Sequence, residues 1–267
     1  MFELLSYNFL QRALIAGSFI AVACALLGIF LILRRDAMIG HGLAHITFAG
    51  VAIGLLLHMM PLLAAFIVAV LTALGILKLK EKAGLYGDTA IAIFSSTGFA
   101  VGVIIISLSQ QFNVNLFSYL FGDILAIGKL EVWMSLTVAA AIMAAVTVYY
   151  PKFMYITFDQ ESAKVSGLKV DRFEISITVL TAITVVLGMK IVGILLVSAL
   201  LVIPAASSLQ LAKNFKQALI WSALISVLSV NLGVLTSILF DLPASGTIVV
   251  ISFLIFLLLL SIKRIKS

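Results

Sequence analysis

Two of the chain's three histidines, His41 and His45, lie four residues apart in RRDAMIGHGLAHITFAG, residues 34–50. On a helix, positions i and i+4 share one face, so the two imidazoles converge on one spot. Neutral imidazole is a ligand for zinc and other borderline metals. The surrounding run is apolar, and polar side chains within a membrane span are costly and tend to mark a substrate path. Two readings stand: a pair that contacts a metal ion, or packing residues on a crowded helix. A closed structural zinc site wants four protein ligands. Two histidines suit an ion that must leave again, and a symmetric dimer would bring in a second pair. The third histidine, His58, sits beside Met59 and Met60 and reads as an interfacial residue at a span end. The metalloprotease pattern H-E-x-x-H fails, because Gly42 stands where the glutamate base belongs. No nucleophile motif G-x-S-x-G occurs either.

The helix that positions this pair must lie in lipid. The 267 residues are 63% hydrophobic and 10% charged, with a mean hydropathy of +1.27, whereas a soluble domain carries about 25% charged residues. The charges are clustered. Between Arg12 and Arg34 lie 21 uncharged residues, roughly 31 Å of helix and enough to cross the hydrocarbon core. Residues 37–77 are free of charge for 41 positions, which makes two spans with a hinge at His58-Met59-Met60-Pro61. Further uncharged runs cover 89–122, 132–151, 191–212, 217–240 and 242–262. The run 175–189 has 15 residues and spans only if Phe173 and Glu174 join it. The expected fold class is an all-α integral membrane bundle of eight to nine helices.

With nine spans, 14 of the 17 basic residues fall on one side, leaving Arg12, Lys129 and Lys190 on the other. The positive-inside rule then puts the N-terminus outside and the C-terminus in the cytoplasm. The net charge of +6 is a topology signal; nucleic-acid binding would want a contiguous basic face on a soluble module. The first residues lack the positive n-region of a cleavable signal, so the first helix is expected to be permanent. Cys24, the single cysteine, sits mid-span as a small packing residue.

The chain reads as one membrane domain over residues 1–267. No P-loop appears, so ATP hydrolysis by that route is excluded. In the longest basic-side loop, residues 151–174, Asp159 is a good helix N-cap and Gly167 a stop. Two readings fit it: a solvated connector, or a docking helix for a partner. The outer segment 110–128 is too apolar for a free loop and is broken at Gly122-Asp123, which fits a re-entrant or interfacial piece. In VGILLVSALLVIPAASS, residues 192–208, Gly193 and Ser198 are small and Pro204 removes a backbone donor. A kinked pore-lining helix and plain close packing both account for it.

Five blocks carry a resemblance that runs nearly end to end: LRRDAMIGHGLAHITFAGVAIG (33–54), FSYLFGDILAI (117–127), FDQESAKVSGL (158–168), MKIVGILLVSALLVIPAASS (189–208) and FDLPASGTIVVISFLIFLL (240–258). In these the chain resembles the permease subunit of bacterial ABC importers for zinc and manganese, the zinc-uptake branch in particular. The resemblance implies a homodimeric pore in the cell membrane and two ATPase subunits docked on 158–168, where Phe158, Asp159, Glu161, Ala163, Val165 and Gly167 would carry the contact. It also implies an extracytoplasmic metal-binding protein, no permanently bound cofactor, and a divalent metal ion as cargo. The family's motif on the second span typically reads G-D-x-x-x-H. Here it reads Gly40-His41-Gly42-Leu43-Ala44-His45, so the histidine carries over onto His45 and the aspartate position holds His41. Exchange of a carboxylate for imidazole favours zinc over manganese.

Overall fold

The computed structural model describes residues 7–83, 87–109, Gly122 and 127–266. Among the described residues there are eleven helices and no strand. Nine are long and apolar enough to cross a membrane: α1 (Asn8–Leu33), α2 (Met38–Leu56), α3 (Pro61–Ala83), α4 (Gly87–Ser109), α5 (Lys129–Val148), α8 (Val170–Val192), α9 (Ile194–Leu211), α10 (Phe215–Phe240) and α11 (Ala244–Lys266). The other two, α6 (Tyr150–Phe158) and α7 (Gln160–Val165), are short. They lie at the end of the bundle where α1, α3, α5, α9 and α11 finish, here called the basic end.

The uncharged runs mark the spans, and several of the charges at their ends are engaged in ion pairs. The short run 175–189 is the clearest case. Helix α8 begins five residues earlier and ends three later, because both flanking charges are neutralised in place. Near its start, Glu174 pairs with Arg34; near its end, Lys190 pairs with Glu131 of α5. A paired charge can sit at the membrane border where an isolated one could not.

Helix α1 forms the centre and packs against α10, α5, α9 and α8, while α2 packs against α4 and α3. Helix α8 touches both groups, through α1 on one side and α2 and α3 on the other. Lipid supplies no hydrophobic drive between helices, so close approach and interhelical hydrogen bonds do the work. Gly28 of α1 lies so near the Leu201 carbonyl that a Cβ there would collide with backbone. Asn231 Nδ2 donates to Ser18 Oγ at 3.0 Å and Ser222 Oγ to the Ala25 carbonyl at 3.0 Å, tying α10 to α1. At the basic end, Phe30 meets Phe153, Phe173 and Phe215 edge-on. That aromatic cluster seats α6 under α1.

Candidate metal path and docking segment

The α1–α2 connection is a tight turn with Arg35 at φ +60°. Its backbone groups are engaged: Asp36 N donates to the Leu31 carbonyl at 2.8 Å, and Ile39 N to Asp36 O at 3.0 Å. Helix α2 starts directly after it. Small residues then let α2 lie close to its neighbours. Gly42 faces Ile91 of α4, and Gly50 lies against the Ala65 backbone of α3. This packing leaves the histidine face uncovered. His41 is exposed and His45 half-buried, while Gly40, Gly42, Leu43 and Ala44 are buried. Thr47 is the midpoint of α2, so at about 1.5 Å per residue His45 lies roughly 3 Å from mid-helix and His41 roughly 9 Å, toward the basic end.

The two imidazoles meet. Their Nε2 atoms are 3.1 Å apart, with ring centroids at 4.5 Å and planes at 80°. Phe99 of α4 stands edge-on to His45 at 5.2 Å and limits its swing. Without a metal, this is an N–H···N hydrogen bond in which one ring donates and the other accepts. The same spacing suits chelation. Two nitrogens bound at about 2.05 Å to one tetrahedral zinc stand roughly 3.3 Å apart. Among the described residues no group of three or more His, Cys, Asp or Glu side chains is placed to hold a metal ion. By geometry the pair could offer at most two ligands of a tetrahedral set. His58, at φ +53°, is exposed beyond the end of α2, away from the pair.

The docking candidate has the local structure its sequence predicts. Asp159 breaks α6 from α7, and its Oδ1 accepts from Ser162 N at 2.9 Å. Hydrogen bonding from the Ser162 hydroxyl, and then from its backbone N–H, holds the Asp159 carboxyl below the usual carboxylate range. Gly167, at φ +81°, ends the turn, and Leu168 N returns to the Ala163 carbonyl at 3.0 Å. Ala163 is fully buried and anchors α7. Phe158, Asp159, Glu161, Val165 and Gly167 are exposed. Val165 at 90% exposure is the least covered large apolar side chain of the segment, left almost uncovered by the described residues.

The hinge candidates separate. Pro204 is buried inside α9, which continues unbroken to Leu211. Ser198 Oγ bonds back to the Leu195 carbonyl at 3.1 Å. The break falls instead at Gly193, whose φ of +90° and ψ of 156° need a residue without Cβ. It is the single residue between α8 and α9, and Gly122 packs against the Val192–Gly193 peptide. The rest of the outer segment 110–128, apart from Ile127 and Gly128, lies outside the described residues.

Sequence reasoning missed a polar network at the basic end. Arg34 donates to Glu174 Oε1, Gln160 Nε2 donates to the same oxygen at 2.9 Å, and Lys80 Nζ donates to Asp36 Oδ1 at 2.7 Å. Arg34 also lies 3.9 Å from Asp36 and over the Phe173 ring at 5.1 Å. The only signal was the clustering of these charges beside span ends.

Comparison with known proteins agrees with this architecture. A manganese transport system membrane protein of Halalkalibacterium halodurans is 29% identical over 96% of this chain and 88% of its own length. A high-affinity zinc uptake system membrane protein of Haemophilus influenzae is 30% identical over 94% of this chain and 97% of its own. Among solved structures, PsaBC from Streptococcus pneumoniae in complex with Fab superimposes with a TM-score of 0.86 at 29% identity, covering 96% of this chain and 92% of that one. A putative metal-chelate type ABC transporter in an inward-facing conformation, at 18% identity and a TM-score of 0.70, shares the fold. With nine described helices of spanning length, this is a multi-pass protein of the bacterial cell membrane. The profile of the ABC 3 transport family matches residues 6–263, and the chain belongs to that family.

Proposed function

We propose that the chain is the membrane permease of an ATP-driven importer for divalent metal ions, and that zinc is its preferred cargo. The observation that carries this reading is the His41–His45 pair, with two Nε2 atoms 3.1 Å apart on the uncovered face of a spanning helix. Imidazole on lipid is unfavourable, so that face belongs against a second copy of the chain or a water-filled path between copies. A homodimer brings two pairs together, and four imidazoles satisfy a tetrahedral ion. An all-imidazole site suits zinc better than manganese. Relatives named for manganese make that ion the second reading, carried by the same path.

The remaining parts follow. The basic end is cytoplasmic by the positive-inside rule, with the N-terminus outside. ATP is hydrolysed by separate subunits docked on 158–168, where exposed Phe158, Glu161 and Val165 meet them. An extracytoplasmic binding protein delivers the ion to the opposite end. The metal is cargo, and residues 1–267 act as one permease domain. Gly193 serves as the outer pivot; Ser198 and Pro204 line the adjoining helix.

The test is metal-resolved uptake by the chain reconstituted with its ATPase and binding protein. Zinc uptake should collapse in His45→Ala, and His41→Asp should shift preference toward manganese. Wild-type zinc uptake in both variants would make the histidines packing residues.

A further inference from the structure

We propose that Glu174 is the joint through which movement of the docking segment reaches the histidine-bearing helix. The proposal rests on the reading of α6–α7 as the ATPase-docking segment and deepens it.

One carboxylate oxygen, Glu174 Oε1, accepts from two elements at once. Gln160 Nε2, from the first residue of α7, reaches it at 2.9 Å, and Arg34, from the α1–α2 turn, reaches it from the other side. Arg34 is in turn 3.9 Å from Asp36, and Asp36 accepts from Lys80 at the end of α3 at 2.7 Å. The chain of contacts thus runs from the docking segment, through Glu174 of α8, to the turn that launches α2.

Two features suit these pairs to a switch. The inner members are shielded: the side chains of Arg34 and Asp36 are 9% and 13% exposed, against 25% and 27% for Glu174 and Lys80. Shielded charges attract across less water, so displacing one drags its partner. Beside them lies a cleft of about 630 Å³, lined by Lys78, Lys164 and Asp171 and by Leu74, Leu77 and Ile175 besides the network itself. These neighbours offer alternative partners, since Lys164 can take the Glu174 carboxylate and Asp171 a freed cation. The network is therefore able to exchange partners rather than only to break.

The turn is built to pass the motion on. It is closed by backbone hydrogen bonds from Asp36 and Ile39, which keep Arg35 in the left-handed region at φ +60°. His41 follows Asp36 by five residues, about 7.5 Å of helix rise. Displacement of Arg34 and Asp36 therefore tilts or turns the base of α2 and changes where the two imidazoles point. Glu174, Gln160 and Arg34 are positioning residues; none touches the ion.

The experiment reconstitutes the permease with its ATPase and binding protein in liposomes and measures ATP hydrolysed per zinc ion imported. Glu174→Gln, which lies outside the docking segment, should bind the ATPase like wild type and hydrolyse ATP, yet raise the ATP-to-zinc ratio roughly fivefold or more, the lower end of ordinary allosteric coupling. Gln160→Ala, inside that segment, should raise the same ratio when it is read per ATPase bound. Arg34→Gln should do the same and Arg34→Lys less. The double variant Arg34→Gln with Glu174→Gln should be no worse than either single, because both changes cut one link. An unchanged ratio in Glu174→Gln and Gln160→Ala overturns the proposal, as does an additive double variant. Gln160 is exposed, so its truncation tests the link even where Arg34→Gln fails to fold. The docking reading fails separately, if Glu161→Arg and Gly167→Pro still co-purify with the ATPase.

Discussion

At the scale of single residues, the decisive atoms are two imidazole nitrogens at hydrogen-bond distance. Loss of an outer partner of a metal ligand alone costs about 10–100-fold in metal affinity, and loss of a ligand costs no less, so His45→Ala should lower zinc uptake at limiting zinc by at least about tenfold. Radioactive zinc accumulation checks it. Asp159 makes a different prediction. Its carboxylate caps α7, and the hydrogen bond from Ser162 lowers its pKa. A depressed folded-state pKa gives stability that is present above the unfolded value and lost as pH falls through the folded one. Protection of the α7 amides, the slowing of their exchange relative to the intrinsic rate at the same pH, should therefore be greatest at neutral pH and fall in acid below the normal aspartate range. Asp159→Ala should show the lower protection at every pH.

Among the elements, α8 and α9 show what sequence carries and what it does not. Charge-free runs were enough to find the spans, because lipid tolerates little else. Asp159 and Gly167 were legible too, since caps act within a few residues. The length of α8 was not legible: it depends on Glu174 meeting Arg34 across 140 positions and Lys190 meeting Glu131 across 59. The break was legible only as one of three candidates. Pro204 is the louder signal, yet α9 runs through it, and the chain turns at Gly193, named beside Pro204 and Ser198 as a small residue of the run. The backbone angle singles it out among the three. Gly193→Ala forces a side chain into a glycine-only conformation and should destabilise the protein by roughly 1–3 kcal/mol. Gly28→Ala, which drives a Cβ into the Leu201 carbonyl, should cost about 2 kcal/mol. Thermal unfolding in detergent reads both.

For the whole molecule, the same incompleteness that limits the site predicts the assembly. His41 and His45 were found from spacing alone, but their exposed face and the lack of a third described ligand nearby are facts of packing. If two copies share one tetrahedral ion, the purified permease should bind about half an equivalent of zinc per chain, by elemental analysis after desalting. A full equivalent per chain would mean that each pair works alone. His45→Ala should abolish this binding without changing the oligomeric state of the purified permease, since the apolar surface around the pair remains.

The one-residue junction at Gly193 also decides where reporters can be placed. Topology is commonly mapped by inserting epitopes at the turns between spans, on the premise that turns are forgiving. This turn is not: Gly193 is buried, and the peptide before it is pressed by Gly122. An epitope inserted there must pry α8 from α9 and strand Lys190 away from Glu131, so the tagged protein should be degraded. The turn at Asp241, Leu242 and Pro243 is exposed throughout. An epitope after Leu242 should be accepted, with full-length protein accumulating and the tag open to antibody from one face of the membrane.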